Sequence, residues 1–84
     1  MSRNIILHPY ITEKIMMEME KNNKLAFAVH KGSSKKEIKA ALEKEFNIKI
    51  IKINTNITKE GKIAIVKLSK EYSASDVGSR IGVY

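Results

Sequence analysis

The 84-residue sequence has no cysteine, no tryptophan, one proline and four glycines, and aromatic residues make up only 6% of it. Without thiols there is neither a disulfide framework nor a thiolate zinc site. The glycines are scattered at turns and build no phosphate-cradling loop. No apolar run approaches the ~18 residues of a membrane span, and the amino terminus lacks a signal-peptide pattern. A soluble, cytoplasmic protein without a membrane span is the expectation. Catalytic groups are equally sparse. His8 and His30 fall on separate expected strands, with no carboxylate at a metal-ligand spacing. Arg3 and Arg80 lie in no phosphate-binding loop of the kind an acylphosphatase-like enzyme needs. Asp76 and the glutamates stand at helix starts or on wet faces. No enzyme activity, metal or cofactor is expected.

Acidic side chains are the minority charge: 9 Asp and Glu face 16 Lys and Arg, a net charge of +7. Such an excess points to a polyanionic partner, nucleic acid first. The competing explanation is a lysine-rich surface that serves solubility.

In chain order, Asn4 to His8 is a short apolar strand stopped by Pro9. Thr12 is a helix N-cap with Glu13 in the first turn, where a carboxylate suits the helix dipole. Ile15, Met16 and Met19 form the buried stripe of that helix, Met17 points elsewhere, and Asn22–Asn23 ends it. Lys24 to Lys31 alternates, with Leu25, Phe27 and Val29 on one face and the small Ala26 and Ala28 on the other. Ser34 and Glu37 make a capping box for an amphipathic helix with Ile38, Ala41, Leu42 and Phe46 on its core side, closed by Asn47. A last short helix opens at Ser73, pairs Val77 with Ile81, and stops at Gly82 with Val83 as its hydrophobic contact. The order is strand, helix, strand, helix, hairpin, short helix. No linker or repeat divides it, so residues 1–84 are expected to form one α+β domain.

The hairpin, Ile50 to Leu68, is the clearest signal. Ile51, Ile53, Thr55 and Ile57 alternate with Lys52, Asn54, Asn56 and Thr58, so one face is expected on the core and the other outward. Gly61 supplies the freedom its turn needs. The return strand is apolar on both faces until Lys67, which marks it as the more central; Val77 and Ile81 are the apolar pair expected to cover its second side. Lys49, Lys52, Lys59, Lys62 and Lys67 can all serve one side or rim of the hairpin, and Asn54 and Asn56 add neutral groups suited to ribose and phosphate. Lysines on a sheet edge also guard against aggregation, and one set of side chains can do both. No aromatic pair on a strand stands ready to stack bases, so structured RNA gripped by its backbone is the expected ligand.

Several stretches together resemble the archaeal branch of the large-subunit ribosomal protein L-twenty-three family: Pro9-Tyr10-Ile11-Thr12-Glu13-Lys14, Ile38-Lys39 to Phe46-Asn47-Ile48-Lys49-Ile50, Ile53-Asn54-Thr55, Val66-Lys67-Leu68, and Tyr72-Ser73-Ala74 through Val77 to Arg80-Ile81-Gly82-Val83. The resemblance implies a four-stranded antiparallel sheet with packed helices, binding to large-subunit ribosomal RNA (rRNA), and a place at the rim of the polypeptide exit tunnel. It adds Lys14, Thr55 and Arg80, which stand in those stretches, to the rRNA-binding set. It also implies a neighbouring ribosomal protein of the L-twenty-nine family and transient exit-site factors such as signal recognition particle, with Glu13 as a factor-docking residue. Bacterial members carry a long extension between the hairpin strands; here only Lys59 to Lys62 join them, which implies the outer rim rather than the tunnel lining. A free-standing basic RNA-binding module and a small protein-interaction domain are the rival functions.

Overall fold

The computed structural model describes residues 5–82. Its elements are β1 (Ile6–Pro9), α1 (Glu13–Asn22), β2 (Lys24–Val29), α2 (Lys35–Phe46), β3 (Ile50–Thr58), β4 (Gly61–Leu68) and α3 (Ala74–Ile81). The strands form one antiparallel sheet in the order β1-β2-β4-β3, an α+β arrangement.

Short-range chemistry sets the element ends. Thr12, Ser34 and Ser73 each accept the N–H three residues on, and Ser34 and Glu37 close a reciprocal box. Asn23 and Asn47 stop α1 and α2 in left-handed geometry, at φ 57° and 55°. Gly82 does the same for α3, while Asn4 and Val83 lie outside the described residues. At the hairpin, Thr58 pairs with Gly61 across Lys59–Glu60, and Gly61 takes φ +116°, which only glycine adopts readily.

The register sorts the sheet into two faces. Leu25, Phe27 and Val29 stand opposite Val66, Ala64 and Lys62, while Lys24, Ala26 and Ala28 stand opposite Lys67, Ile65 and Ile63. α2 covers the first face: Phe46 stacks on Phe27, ring centroids 5.4 Å apart, and Ile38 and Leu42 are fully buried. α1 lies over the second, where the two alanines leave room, and buries Ile15 and Met19. β4 is central, between β2 and β3, as its apolar character requires.

Some expectations are corrected. Met16 stays 37% exposed, because the buried stripe of α1 is only Ile15 and Met19. Ile51 is 59% exposed: the pairing slips by one residue between Ile50 and Lys52, so Ile50 opposite Leu68 takes the core position. Glu43, assigned to the wet side of α2, accepts the Ile50 N–H at 2.9 Å beside that bulge. Ile57, near the hairpin tip, is 68% exposed. The last helix does pack back, with Ala74 and Val77 buried, but against α1 and β2 rather than over β4.

The position of α3 follows from Asn23. Its side-chain Nδ2 donates to the Tyr72 carbonyl at 2.8 Å and lies 3.3 and 3.4 Å from the Leu68 and Ser69 carbonyls. Its Oδ1 accepts the Ala74 N–H at 2.6 Å, and its own carbonyl accepts the Leu68 N–H at 3.0 Å. One amide thus ties the end of α1, the end of β4 and the first residue of α3 together.

Candidate nucleic-acid interface

The face that α1 leaves open on β4 and β3 is built in rows. Lys52 of β3 stands opposite Lys67 of β4, which on its other side stands opposite Lys24 of β2. Three lysines therefore cross three strands in a line, strands being about 4.8 Å apart. Like charges directly opposite one another destabilise a sheet, so the row carries a standing cost when nothing anionic meets it. Among the described residues only Lys24 has partial relief, its Nζ lying 3.8 Å from a Glu18 carboxylate oxygen. The next rows set Asn54 opposite Ile65 and Asn56 opposite Ile63. Lys52, Asn54 and Asn56 share one side of β3 at a pleat repeat of roughly 7 Å. Among the described residues neither side-chain amide of this pair has a hydrogen-bond partner.

Between α1 and this surface runs a groove of about 560 Å³. Ile63 and Ile65 border it from the sheet, Tyr10 and Ile15 from the β1–α1 side, and Asn54, Thr55 and Asn56 from β3. Lys14, Lys24 and Lys35 add charge around it, with Glu18 among them.

The structure brings together Lys14, Lys52, Asn54, Asn56 and Lys67 of the expected RNA-binding set. Thr55 touches the groove, although it pairs opposite Ala64 on the other face. Lys49 and Lys59 are exposed beyond the two ends of β3. Lys62 belongs elsewhere: it stands opposite Ile57 and Val29, on the α2 face, and its Nζ donates to the Ser33 carbonyl. It does not extend the charge of Lys52 along one face, because an even step from Lys67 never reaches it; the strand pleat separates them. Arg80 is exposed on α3 beside Glu45, Phe46 and Asn47, away from the groove. Glu13 is exposed in the first turn of α1, with Ile11 36% and Met17 54% exposed nearby in the chain.

Lys24, Lys35 and Tyr10 were missed from sequence. The alternation of β2 already put Lys24 with Ala26 and Ala28. Its alignment with Lys67 needed the strand order, which no local pattern carries.

Residues 4–75 match the model of the family Ribosomal protein L23. The chain belongs to the ribosomal protein L23 family. Relatives share its length as well as its sequence. The large ribosomal subunit protein uL23 of Thermoplasma acidophilum is 46% identical over 84 residues, covering all of both chains. That of Picrophilus torridus is 46% identical over 79 residues, 94% of this chain and 96% of the relative. That of Haloarcula marismortui is 44% identical over 85 residues and again covers both chains in full. These archaeal relatives accord with the branch that the ending of the chain resembles.

Proposed function

We propose that this chain is a structural, non-enzymatic component of the large ribosomal subunit, in the cytoplasm, and that it binds large-subunit rRNA through the open face of β3 and β4. The observation that carries this is the row Lys24–Lys67–Lys52, whose mutual repulsion an RNA backbone would relieve. Lys14 and Lys35 extend the positive rim, and the free amides of Asn54 and Asn56 offer donors and acceptors to ribose, phosphate or base. The family and the names of its archaeal relatives, large ribosomal subunit protein uL23, support the subunit. Its resemblance further supports a position near the polypeptide exit tunnel, contact with a protein of the L-twenty-nine family, and a part in the docking platform for exit-site factors such as signal recognition particle.

Salt titration of RNA binding tests the assignment. Removing one lysine that neutralises a phosphate should flatten the slope of log affinity against log salt by ~0.7–0.9. Lys52→Ala and Lys67→Ala should each do so with the fold intact. Lysines that only guard a sheet edge would instead yield aggregating variants of unchanged RNA affinity. Co-sedimentation with large subunits in high salt separates a subunit component from a free-standing RNA-binding module. Docking is tested at Glu13: Glu13→Lys should weaken recruitment of an exit-site factor to assembled subunits. Unchanged recruitment would leave Glu13 only its place in the helix dipole.

A further inference from the structure

We propose that the groove between α1 and the β3–β4 face receives a single unstacked base of the bound RNA. Such a pocket presupposes that this face binds RNA, as proposed above, and adds base recognition to backbone contact.

Volume is the first reason. A surface that only tracks phosphates needs no recess, whereas about 560 Å³ falls in the range of pockets that take small organic groups. The walls are the second. The lining is mixed, with Ile15, Ile63, Ile65 and Tyr10 among the polar and charged groups, and those apolar and aromatic members suit the flat face of a base, which a phosphate would not use. Third, Asn54 and Asn56 bring unpartnered amides to the β3 side of the same recess. Each amide carries a donor pair and an acceptor, the complement of the edge that a base exposes once it leaves a helix. Charge is the fourth. Lys24 lines the groove, while Lys67 and Lys52, which continue its row, do not, so the row runs outward from the recess to where the phosphates flanking an extruded nucleotide would lie. An acidic peptide would be drawn by the same lysines, but it carries no flat aromatic face to lie against Tyr10, Ile63 and Ile65.

Tyr10 stands in the loop before α1, and Asn54 and Asn56 are more than forty positions later in sequence. The fold thus supplies the aromatic group that no strand of this chain carries as a stacking pair.

The experiment uses the full chain with transcribed large-subunit RNA. Ultraviolet crosslinking maps the nucleotide joined to Tyr10 or to residues 61–68. A synthetic RNA fragment carrying that site is then compared with the same fragment made abasic at the mapped nucleotide. Removing the base should lower affinity about tenfold, the scale of one stacked base, without changing the salt slope, since every phosphate remains. Asn54→Ala should weaken binding to the intact fragment and cause no further loss on the abasic one, because both remove the same interaction. Equal affinity for intact and abasic RNA, with Lys52→Ala still flattening the slope, overturns the base pocket and leaves the RNA-binding face standing. Crosslinks from the groove only to base-paired nucleotides overturn the pocket too. If the chain binds an acidic peptide and no large-subunit RNA at physiological salt, the RNA-binding face falls and the pocket with it.

Discussion

The asparagines in two regions of this molecule work in opposite ways. Asn23 sits where α1 meets β2, with both ends of its amide engaged by backbone groups of Leu68 to Ala74. Asn54 and Asn56 stand on an edge strand with amides that no described residue engages. The residue type is the same and the propensity for turns is the same; what differs is whether the fold has already met the hydrogen-bonding capacity. A saturated amide in a half-buried site holds structure. An unsaturated pair beside lysines and an apolar recess is available to a partner. Polar side chains in a small basic protein can be sorted by this criterion.

The contrast breaks most severely if α3 is removed. Deleting residues 73–84 takes away the buried Ala74 and Val77 and strips Asn23 of its Ala74 partner. Thermal denaturation should show a fall of about 10 °C or more, since a kilocalorie shifts a domain of this size by ~4–8 °C. An unchanged melting temperature would mean that α3 is not part of the cooperative unit.

A smaller effect is expected from Asn23 alone. Asn23→Ala loses the amide and keeps a β-carbon at φ 57°, a geometry that alanine tolerates less well than asparagine, whereas Asn23→Gly loses the amide and is free of that strain. With a net worth near 1 kcal/mol for each hydrogen bond, the glycine variant should lose roughly 1–2 kcal/mol in denaturant unfolding, and alanine roughly 1 kcal/mol more. Equal loss in the two would show that the left-handed cap contributes nothing. Neither variant should alter the salt slope of RNA binding.

The smallest expected effect is at Lys62. Its ammonium is held on the α2 face by the Ser33 carbonyl, so Lys62→Ala should leave the salt slope as it is and cost stability by under about 1 kcal/mol. A slope flattened as much as by Lys52→Ala would mean that RNA reaches both faces of the hairpin.

How much of this was legible in the sequence divides by range. The caps at Thr12, Ser34, Asn23, Asn47 and Gly82 were readable because each is decided within a few residues. Their geometry is as the residue types dictate. The core side of α2 and the centrality of β4 were readable from periodicity. Ile51 was misplaced because a bulge is a property of a strand pair: the β3 pattern alternates without interruption, and the slip exists only against Leu68 and Lys67. Met16 was misplaced because its position is compatible with either edge of the buried stripe. The candidate site was half legible. Alternation put Lys52, Asn54 and Asn56 together, but it could not show that Lys67 and Lys24 continue their row or that Tyr10 closes the recess. Those depend on strand order.

The Asn23 junction also bears on when the chain can finish folding. Its amide partners lie 45 to 51 residues downstream. Ribosomes deliver the amino-terminal part first, so α1 and β2 emerge with that amide bonded only to water. The hairpin, whose contacts are local, can form early. The α1–β2 corner closes only after Tyr72 and Ala74 have been made, because a long loop must be closed before its contacts repay the entropy. Truncated chains ending before Ser69 should therefore hold a protected hairpin and an unprotected Asn23 corner in amide exchange, and residues 69–84 set the moment of completion.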